Sequence, residues 1–225
     1  DWPTRNHDIV YRGAAWKSMC HLYNARESLY RGFTTIRSIG NSTYEARGSL
    51  AAREMIDLGL FPGARMVVTP HYMADVGSHG DHSQYLRTNP DLAEAFAKMT
   101  PTIGTGVDFF RHAVRNEIKM GADFIKIMLS GILDFDRYGV ITSAGLPVEE
   151  AGEMVRIAHG EGLAVMAHVN GRDCILTALE AGIDSLEHGY GMDGSCLRAL
   201  RDEGAVWVPS LAPVANPIGS GRFSD

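Results

Sequence analysis

The segment Gly121-Ala-Asp-Phe-Ile-Lys-Ile-Met decides the fold, because it is a short apolar run that ends near a residue able to help bind a metal, Lys126. Two later segments repeat the pattern: Leu163-Ala-Val-Met-Ala-His-Val-Asn ends near His168, and Ile183-Asp-Ser-Leu-Glu-His-Gly-Tyr ends near His188. If each run is a strand, the three side chains lie at the carboxyl ends of successive parallel strands, where barrel enzymes place their chemistry. We interpret them as part of a metal site.

Strands and helices alternate along the rest of the chain. The hydrophobic periodicity predicts helices over residues 9–31, 44–58, 107–120, 147–161, 172–181 and 194–203, with strands between and after them. A glycine closes each of these helices, at Gly32, Gly59, Gly121, Gly162, Gly182 and Gly204. Such regular alternation implies a parallel sheet. No GxGxxG or GxxxxGK[ST] motif is present, so a nucleotide-binding doubly wound sheet fits less well. We expect an α/β fold, a (β/α)8 TIM-type barrel of which this chain covers about six βα units, strands 2 to 7.

Two long polar connections interrupt the alternation, at residues 69–106 and 129–146. The first carries His71, His79, Asp81 and His82. Long loops in compact domains are commonly lids or binding loops. We expect these two loops to determine which substrate is bound.

Composition limits the partners and the compartment. The 225 residues are 45% hydrophobic and 21% charged, which is typical of a globular domain. The net charge of −6 argues against nucleic acid as a partner. No apolar run is as long as a membrane helix, which argues against a membrane as a partner. The three cysteines, Cys20, Cys174 and Cys196, have no CxxC spacing, so we expect a reducing, cytoplasmic compartment and no disulfide framework. Because the chain starts at Asp1 without Met and closes on a Pro/Gly/Ser-rich stretch, residues 213–224, we expect residues 1–225 to be part of a longer barrel protein.

The residues alone leave two readings of each candidate ligand open. A histidine at a strand end is either a hydrogen-bonded core residue or a metal ligand. Apolar neighbours surround Lys126, and burial lowers a lysine pKa, so its neutral amine can add carbon dioxide and become a carbamate that bridges two metal ions. The alternative is an ion pair between Lys126 and a buried carboxylate, for which Asp123 and Glu187 are candidates.

Four ordered motifs resemble the amidohydrolase superfamily. They are Gly-Phe-Thr-Thr-Ile-Arg-Ser-Ile-Gly at 32–40, Gly-Ala-Asp-Phe-Ile-Lys-Ile-Met at 121–128, Val-Met-Ala-His-Val-Asn-Gly at 165–171 and Ala-Gly-Ile-Asp-Ser-Leu-Glu-His-Gly at 181–189. The similarity is to the imidazolonepropionase-like and Xaa-Pro-dipeptidase-like branch and extends over nearly the whole chain.

This resemblance implies a barrel hydrolase with one or two divalent metal ions, zinc being the ion expected. Carried over by motif, Lys126 would be the bridging lysine, carboxylated by carbon dioxide, and His168 and His188 would be metal ligands. The family also uses a His-x-His pair from strand 1 and a general-base Asp from strand 8, and neither is found in this chain. We therefore expect no catalytic acid or base in residues 1–225, which form a partial metal-dependent hydrolase barrel domain lacking strands 1 and 8.

The resemblance also indicates where substrate binds. His79 lies in a Gly-Ser-His-Gly loop where relatives carry Gly-Gly-His-Gly, and Tyr190 follows His188 by two positions, so both are candidate substrate contacts. Asn170 stands where other members have a second histidine. We expect a hydroxide that bridges the metals to attack an amide, cyclic amide or related ester bond of a small, dipeptide-like molecule. A homo-oligomer is a further expectation. The alternatives are a catalytically inactive barrel that serves as a binding module and, less well supported, a phosphate-binding barrel of another superfamily.

Overall fold

Every pairing between named strands is parallel, as the alternation predicts. The computed structural model describes residues 13–40, 47–86, 88–134, 137, 140–143 and 145–215. The strands are β1 Thr35–Ser38, β2 Arg65–Val68, β3 Tyr72–Met73, β4 Ile125–Met128, β5 Val165–Val169, β6 Ser185–His188 and β7 Val206–Val208. The helices are α1 Ala14–Tyr30, α2 Gly48–Asp57, α3 Pro90–Lys98, α4 Val107–Met120, α5 Val148–Gly160, α6 Arg172–Glu180, α7 Gly194–Glu203 and α8 Ala212–Ala215, with a 3-10 turn at His82–Leu86.

The strand order follows the chain. Strand β1 pairs with β2, and β3 to β7 form a five-stranded sheet in the order β3-β4-β5-β6-β7. Strands β2 and β3 are two parts of one extended segment that is interrupted at residues 69–71. The Asp123 backbone N–H, just before β4, donates to the Val68 carbonyl at 2.8 Å, so β2 also adjoins β4. The result is a continuous run of neighbouring parallel strands with helices between them, which fits a TIM-type fold.

Strand residues alternate between the helix layer and the opposite face of the sheet. The helix-facing residues form one buried core with α4 to α7, and they are Ile125, Ile127, Val165, Ala167, Val169 and Leu186. The opposite face carries Lys126, His168 and Glu187, which share it through the strand register. On this face the Arg37 guanidinium of β1 donates to the Glu187 carboxylate of β6 at 2.9 Å. Since these strands are far apart in the strand order, the sheet must curve until they face each other.

Two aspartates each join neighbouring strands by accepting a hydrogen bond from a backbone N–H group. The Asp123 carboxylate accepts a hydrogen bond from the Val68 backbone N–H at 2.7 Å. The Asp184 carboxylate accepts one from the Val165 N–H at 2.7 Å, and its own N–H donates to the Val165 carbonyl at 3.0 Å. Each aspartate follows a helix-closing glycine by two positions. This Gly-x-Asp pattern therefore sets the strand register at two points of the sheet.

The glycines predicted to close helices do so in the left-handed region that an L side chain rarely adopts. All six have positive φ: Gly32, Gly59, Gly121, Gly162, Gly182 and Gly204. The prediction is confirmed at each of them. Among the described helices, none is both long and apolar enough to cross a lipid bilayer.

Residues 69–106, predicted as a long loop, contain secondary structure that the sequence analysis did not predict. They form β3, the 3-10 turn and the helix α3. The Asn89 side chain accepts a hydrogen bond from the Leu92 N–H at 3.3 Å, and Pro90 occupies the first helical turn. An N-cap followed by proline is a helix-start signal that the polar composition of the segment obscured. The predicted residues 9–12, 44–46 and 216–224 lie outside the described part of the chain.

We predict that replacing Asp184 by Ala destabilises the protein by about 1–3 kcal/mol, because the buried Val165 N–H loses its acceptor. Urea unfolding of the full-length protein measures this change. Asp202→Ala is the control, since Asp202 is an exposed partner of its neighbour Arg201, and it should change stability by less than about 0.5 kcal/mol. Equal effects of the two substitutions would contradict the strand-tying role.

Candidate metal centre

Lys126 lies in the middle of β4 with its amine buried and unpaired. The residue is 1% exposed, and within the described chain its Nζ atom has no hydrogen-bond partner. Loss of water around the amine lowers its pKa to about 7; nearby Glu187 opposes this shift and Arg37 adds to it. An unpaired, neutral-prone amine of this kind is suited to carboxylation rather than to an ion pair.

The carboxylates that could have paired with Lys126 are engaged elsewhere. Asp123 binds Arg53 at 2.6 Å as well as the Val68 N–H. Glu187 accepts from Arg37 and from the Ser185 hydroxyl at 3.0 Å. The geometry therefore disfavours an ion pair between Lys126 and either Asp123 or Glu187.

His168 is a buried, neutral imidazole next to the other candidates. It is 4% exposed, and its Nε2 atom lies 3.1 Å from the Gly131 carbonyl, to which it can donate. Burial chiefly lowers the pKa of His168 to about 3, and the charges of Lys126 and His188 lower it further. With the proton on Nε2, the Nδ1 lone pair remains available to a metal.

His188 reaches the same place through an unusual backbone conformation. Its register partner is Val169, which faces the helix layer, so regular alternation would turn His188 away from His168. Instead His188 has a φ of 72°, and among the described residues no other non-glycine has a positive φ. The two imidazole centroids lie 4.7 Å apart, edge to face. Strained conformations of this kind concentrate at functional sites.

The predicted substrate contacts lie beside the two histidines. The His79 ring centroid is 4.9 Å from that of His168, and His79 Nδ1 is buried without a partner among the described atoms. The Tyr190 ring stacks on His188 at 5.8 Å. The Tyr190 hydroxyl donates to the Ser210 carbonyl, so the ring rather than the hydroxyl faces the histidines.

Asn170 joins the loops around the centre, a role that the sequence did not reveal. It is fully buried, its amide donates to the Gly131 carbonyl at 3.0 Å, and its side-chain oxygen accepts from the Tyr190 N–H at 3.0 Å. Its backbone N–H also donates to the Ser130 hydroxyl at 2.7 Å. One side chain thus holds together the loops that follow β4, β5 and β6.

Comparison with known proteins finds similar sequences and similar solved structures. No protein-family model matches the chain. It is 27% identical over 198 residues to ochratoxinase of Aspergillus niger, which covers 84% of this chain and 39% of that enzyme. Among solved structures, a Xaa-Pro dipeptidase with bound methionine in the active site has 27% identity and a TM-score of 0.76, covering 96% of this chain and 52% of that one. An amidohydrolase has 29% identity and a TM-score of 0.73, covering 94% of this chain and 51% of that one.

The chain is similar to members of the amidohydrolase superfamily. The relatives are hydrolytic enzymes of that superfamily, as the sequence motifs predict. The chain spans about half the length of the solved structures it matches. It spans about two fifths of the length of ochratoxinase.

The residues present fit the divalent ions that amidohydrolases generally use. In the part of the chain that the structure describes, no group of three or more His, Cys, Asp or Glu side chains has a metal-binding arrangement. The candidate set instead combines two histidines with Lys126. The Nζ atom of Lys126, which has no partner among the described residues, would on carboxylation carry a carboxylate whose oxygens are ligands. The Nδ1 atom of His188 is likewise buried without a partner among the described atoms. Buried polar atoms without partners are costly unless a ligand binds them.

Replacing Asn170 by Ala should destabilise the protein by about 2–3 kcal/mol, because the Gly131 carbonyl and the Tyr190 N–H lose their partner. Metal affinity should also fall, by about 10- to 100-fold, since residues that orient metal ligands typically have effects of this size. Urea unfolding and metal titration of the full-length protein measure both changes. Asn116→Ala, on the exposed face of α4, is the control and should alter neither. Unchanged metal affinity in the Asn170 variant would contradict the positioning role.

Proposed function

We propose that the protein is a metal-dependent hydrolase that cleaves an amide, cyclic amide or related ester bond in a small molecule. One observation carries the proposal: three neighbouring parallel strands bring together the buried amine of Lys126, which has no partner among the described residues, and the imidazoles of His168 and His188. The carboxyl ends of barrel strands are where such folds hold catalytic groups. The hydrolytic relatives support the same reaction class.

In this proposal Lys126 acts as a carbamate. The neutral amine attacks carbon dioxide, a nitrogen–carbon bond forms, and one proton leaves to solvent. The resulting anion, with His168 and His188, would hold one or two divalent ions, and zinc is the ion we expect. Such ions, when bound, lower the pKa of water so that hydroxide is available as a nucleophile, and they polarise the substrate carbonyl.

The residues around the ligands keep this centre dry and oriented. Glu187 and Arg37 neutralise each other beside Lys126, so no counter-ion ties up the amine. Asn170 fixes the loops, and the Tyr190 ring covers one side of His188. We assign substrate contact to His79, whose unpartnered Nδ1 can bind a polar group, and to the face of Tyr190.

Several finer features belong to the same proposal. The parallel strands would be six βα units, strands 2 to 7, of a (β/α)8 barrel, so residues 1–225 would be part of a barrel domain. The Xaa-Pro dipeptidase relative supports a dipeptide-like or other amide substrate. The three free cysteines support a cytoplasmic location. A homo-oligomer remains a prediction.

One prediction of this function concerns Lys126. In the full-length protein, Lys126→Ala should remove most of the bound divalent metal and nearly all hydrolytic activity, because the bridging anion is lost. Native mass spectrometry of the unsubstituted protein should show a labile gain of about 44 Da, the mass of carbon dioxide, that the variant lacks. Lys98→Ala, at an exposed lysine of α3, should retain metal, mass gain and activity.

Two results would contradict this assignment. Full metal content and full activity in Lys126→Ala would show that Lys126 is not a metal ligand. An unsubstituted full-length protein with neither metal nor the lysine adduct would instead favour a catalytically inactive barrel that binds its partner without chemistry.

Another prediction of this function concerns His79. His79→Ala should raise KM for the best substrate from a panel of dipeptides by about 10-fold, the loss expected for one polar contact, while metal content stays unchanged. Steady-state kinetics with metal analysis measures both. His82→Ala, three positions along the same segment and exposed, is the matched control. Loss of metal in His79→Ala would make His79 a ligand rather than a substrate contact.

A further inference from the structure

Backbone hydrogen bonds form a tight turn around His188 at the end of β6. The Gly189 N–H donates to the Glu187 carbonyl at 3.0 Å, two positions back, and to the Val169 carbonyl of β5 at 3.1 Å. With a φ of 72° at His188, this is a γ-turn of the rare type with positive φ. Because that conformation is strained in a residue with a side chain, His188 requires contacts that hold it there.

Trp207 of β7 contacts this turn from the neighbouring strand. Its indole Nε1–H donates to the His188 carbonyl at 3.0 Å. A Cβ at Gly189 would lie 2.7 Å from the same nitrogen and 3.3 Å from the adjacent ring carbon, Cδ1, so only glycine permits this approach. Trp207 is 40% exposed, so burial in the core does not account for its orientation. The contacts with the turn do.

The indole comes from the face of the sheet that the His188 ring avoids. Trp207 is the register partner of Leu186, which belongs to the core between the sheet and the helices. Side chains of paired residues share a face, and regular alternation would turn His188 to that same face. In the γ-turn the imidazole lies on the opposite face instead, against His168. The Trp207 hydrogen bond is therefore made to the backbone in its turned form.

We propose that Trp207 is a positioning residue of the candidate metal centre, which holds the turn that directs the His188 imidazole towards His168. The inference rests on the metal-ligand role proposed above for His188. Trp207 acts through the backbone of that ligand and not by contact with metal or substrate. Residues that orient a metal ligand commonly change metal affinity by about 10- to 100-fold.

The first test needs no metal. In the metal-free full-length protein with isotopically labelled histidine rings, a nuclear Overhauser effect should join the ring protons of His168 and His188, whose centroids lie 4.7 Å apart. Trp207→Phe keeps an aromatic ring on β7 but removes the indole donor, so it should lose most of this effect. Trp16→Phe, which removes an indole from α1, is the matched control and should retain it.

Metal binding gives a second measurement, with cobalt(II) as the probe because its visible spectrum reports the geometry of its ligands. Trp207→Phe should bind cobalt about 10-fold more weakly and with an altered spectrum. Trp16→Phe should match the unsubstituted protein in both respects. A merely structural role would lower stability but leave the spectrum of the bound ion unchanged.

Failure of this inference and failure of the proposed function give different results. An unsubstituted protein that binds no cobalt would contradict the proposed function, while the contact between the two histidine rings would still test Trp207. Persistence of that contact in Trp207→Phe, its absence from the unsubstituted protein, or an unchanged cobalt affinity or spectrum in the variant would overturn the inference.

Hydrogen exchange in the unsubstituted protein keeps the inference testable if Trp207→Phe does not fold. The Trp207 indole N–H should exchange with solvent more slowly than that of free tryptophan, because it is bonded to the His188 carbonyl. An indole that exchanges as fast as free tryptophan would also overturn the inference.

Discussion

Burial of an amine without a counter-ion is the constraint on which the rest of the site depends. Lys126 occupies the concave face of a parallel sheet, and the carboxylate of nearby Glu187 is already bonded to Arg37. A fully charged ammonium in such a place would be expensive, so the environment favours the neutral base. That single property makes carboxylation possible, and it also explains why Arg37 rather than Lys126 balances the charge of Glu187.

The sequence predicted the features that depend on local chemistry. Helix-closing glycines, the amphipathic helix α4 and the three apolar runs ending near Lys126, His168 and His188 all follow from neighbours along the chain. What it could not predict depends on contacts between distant residues. The hydrogen bonds of Asn170 to Gly131 and Tyr190 form only when three loops meet. The sequence therefore showed that Asn170 replaces a histidine of other members, but not that it joins these loops. The helix α3 was not predicted, because the polar composition of its segment obscured the Asn89 N-cap and Pro90 at its start.

His188 shows how backbone geometry alters the reading of a sequence pattern. Strict alternation along β6 would place Glu187 on the concave face and His188 among the helices. The left-handed conformation of His188 lets both residues serve that face, Glu187 bonded to Arg37 and His188 beside His168. The following residue, Gly189, is also left-handed, and a Cβ there would lie 2.7 Å from the Trp207 indole nitrogen. The turn is therefore held by packing from β7, which can offset a conformational cost of about 1–3 kcal/mol.

The segment from His71 to Gly80 places side chains on both faces of the sheet. His71 contacts Glu117 on the helix side of the sheet, while the Tyr72 hydroxyl donates to the Gly80 carbonyl at 3.1 Å. A Cβ at Gly80 would lie 2.4 Å from the Ala74 side chain, so the backbone returns here at the closest possible approach. That return places His79 against His168. One short stretch of main chain therefore carries both His71, which contacts Glu117 in the helix layer, and the loop that positions His79 against the candidate metal centre.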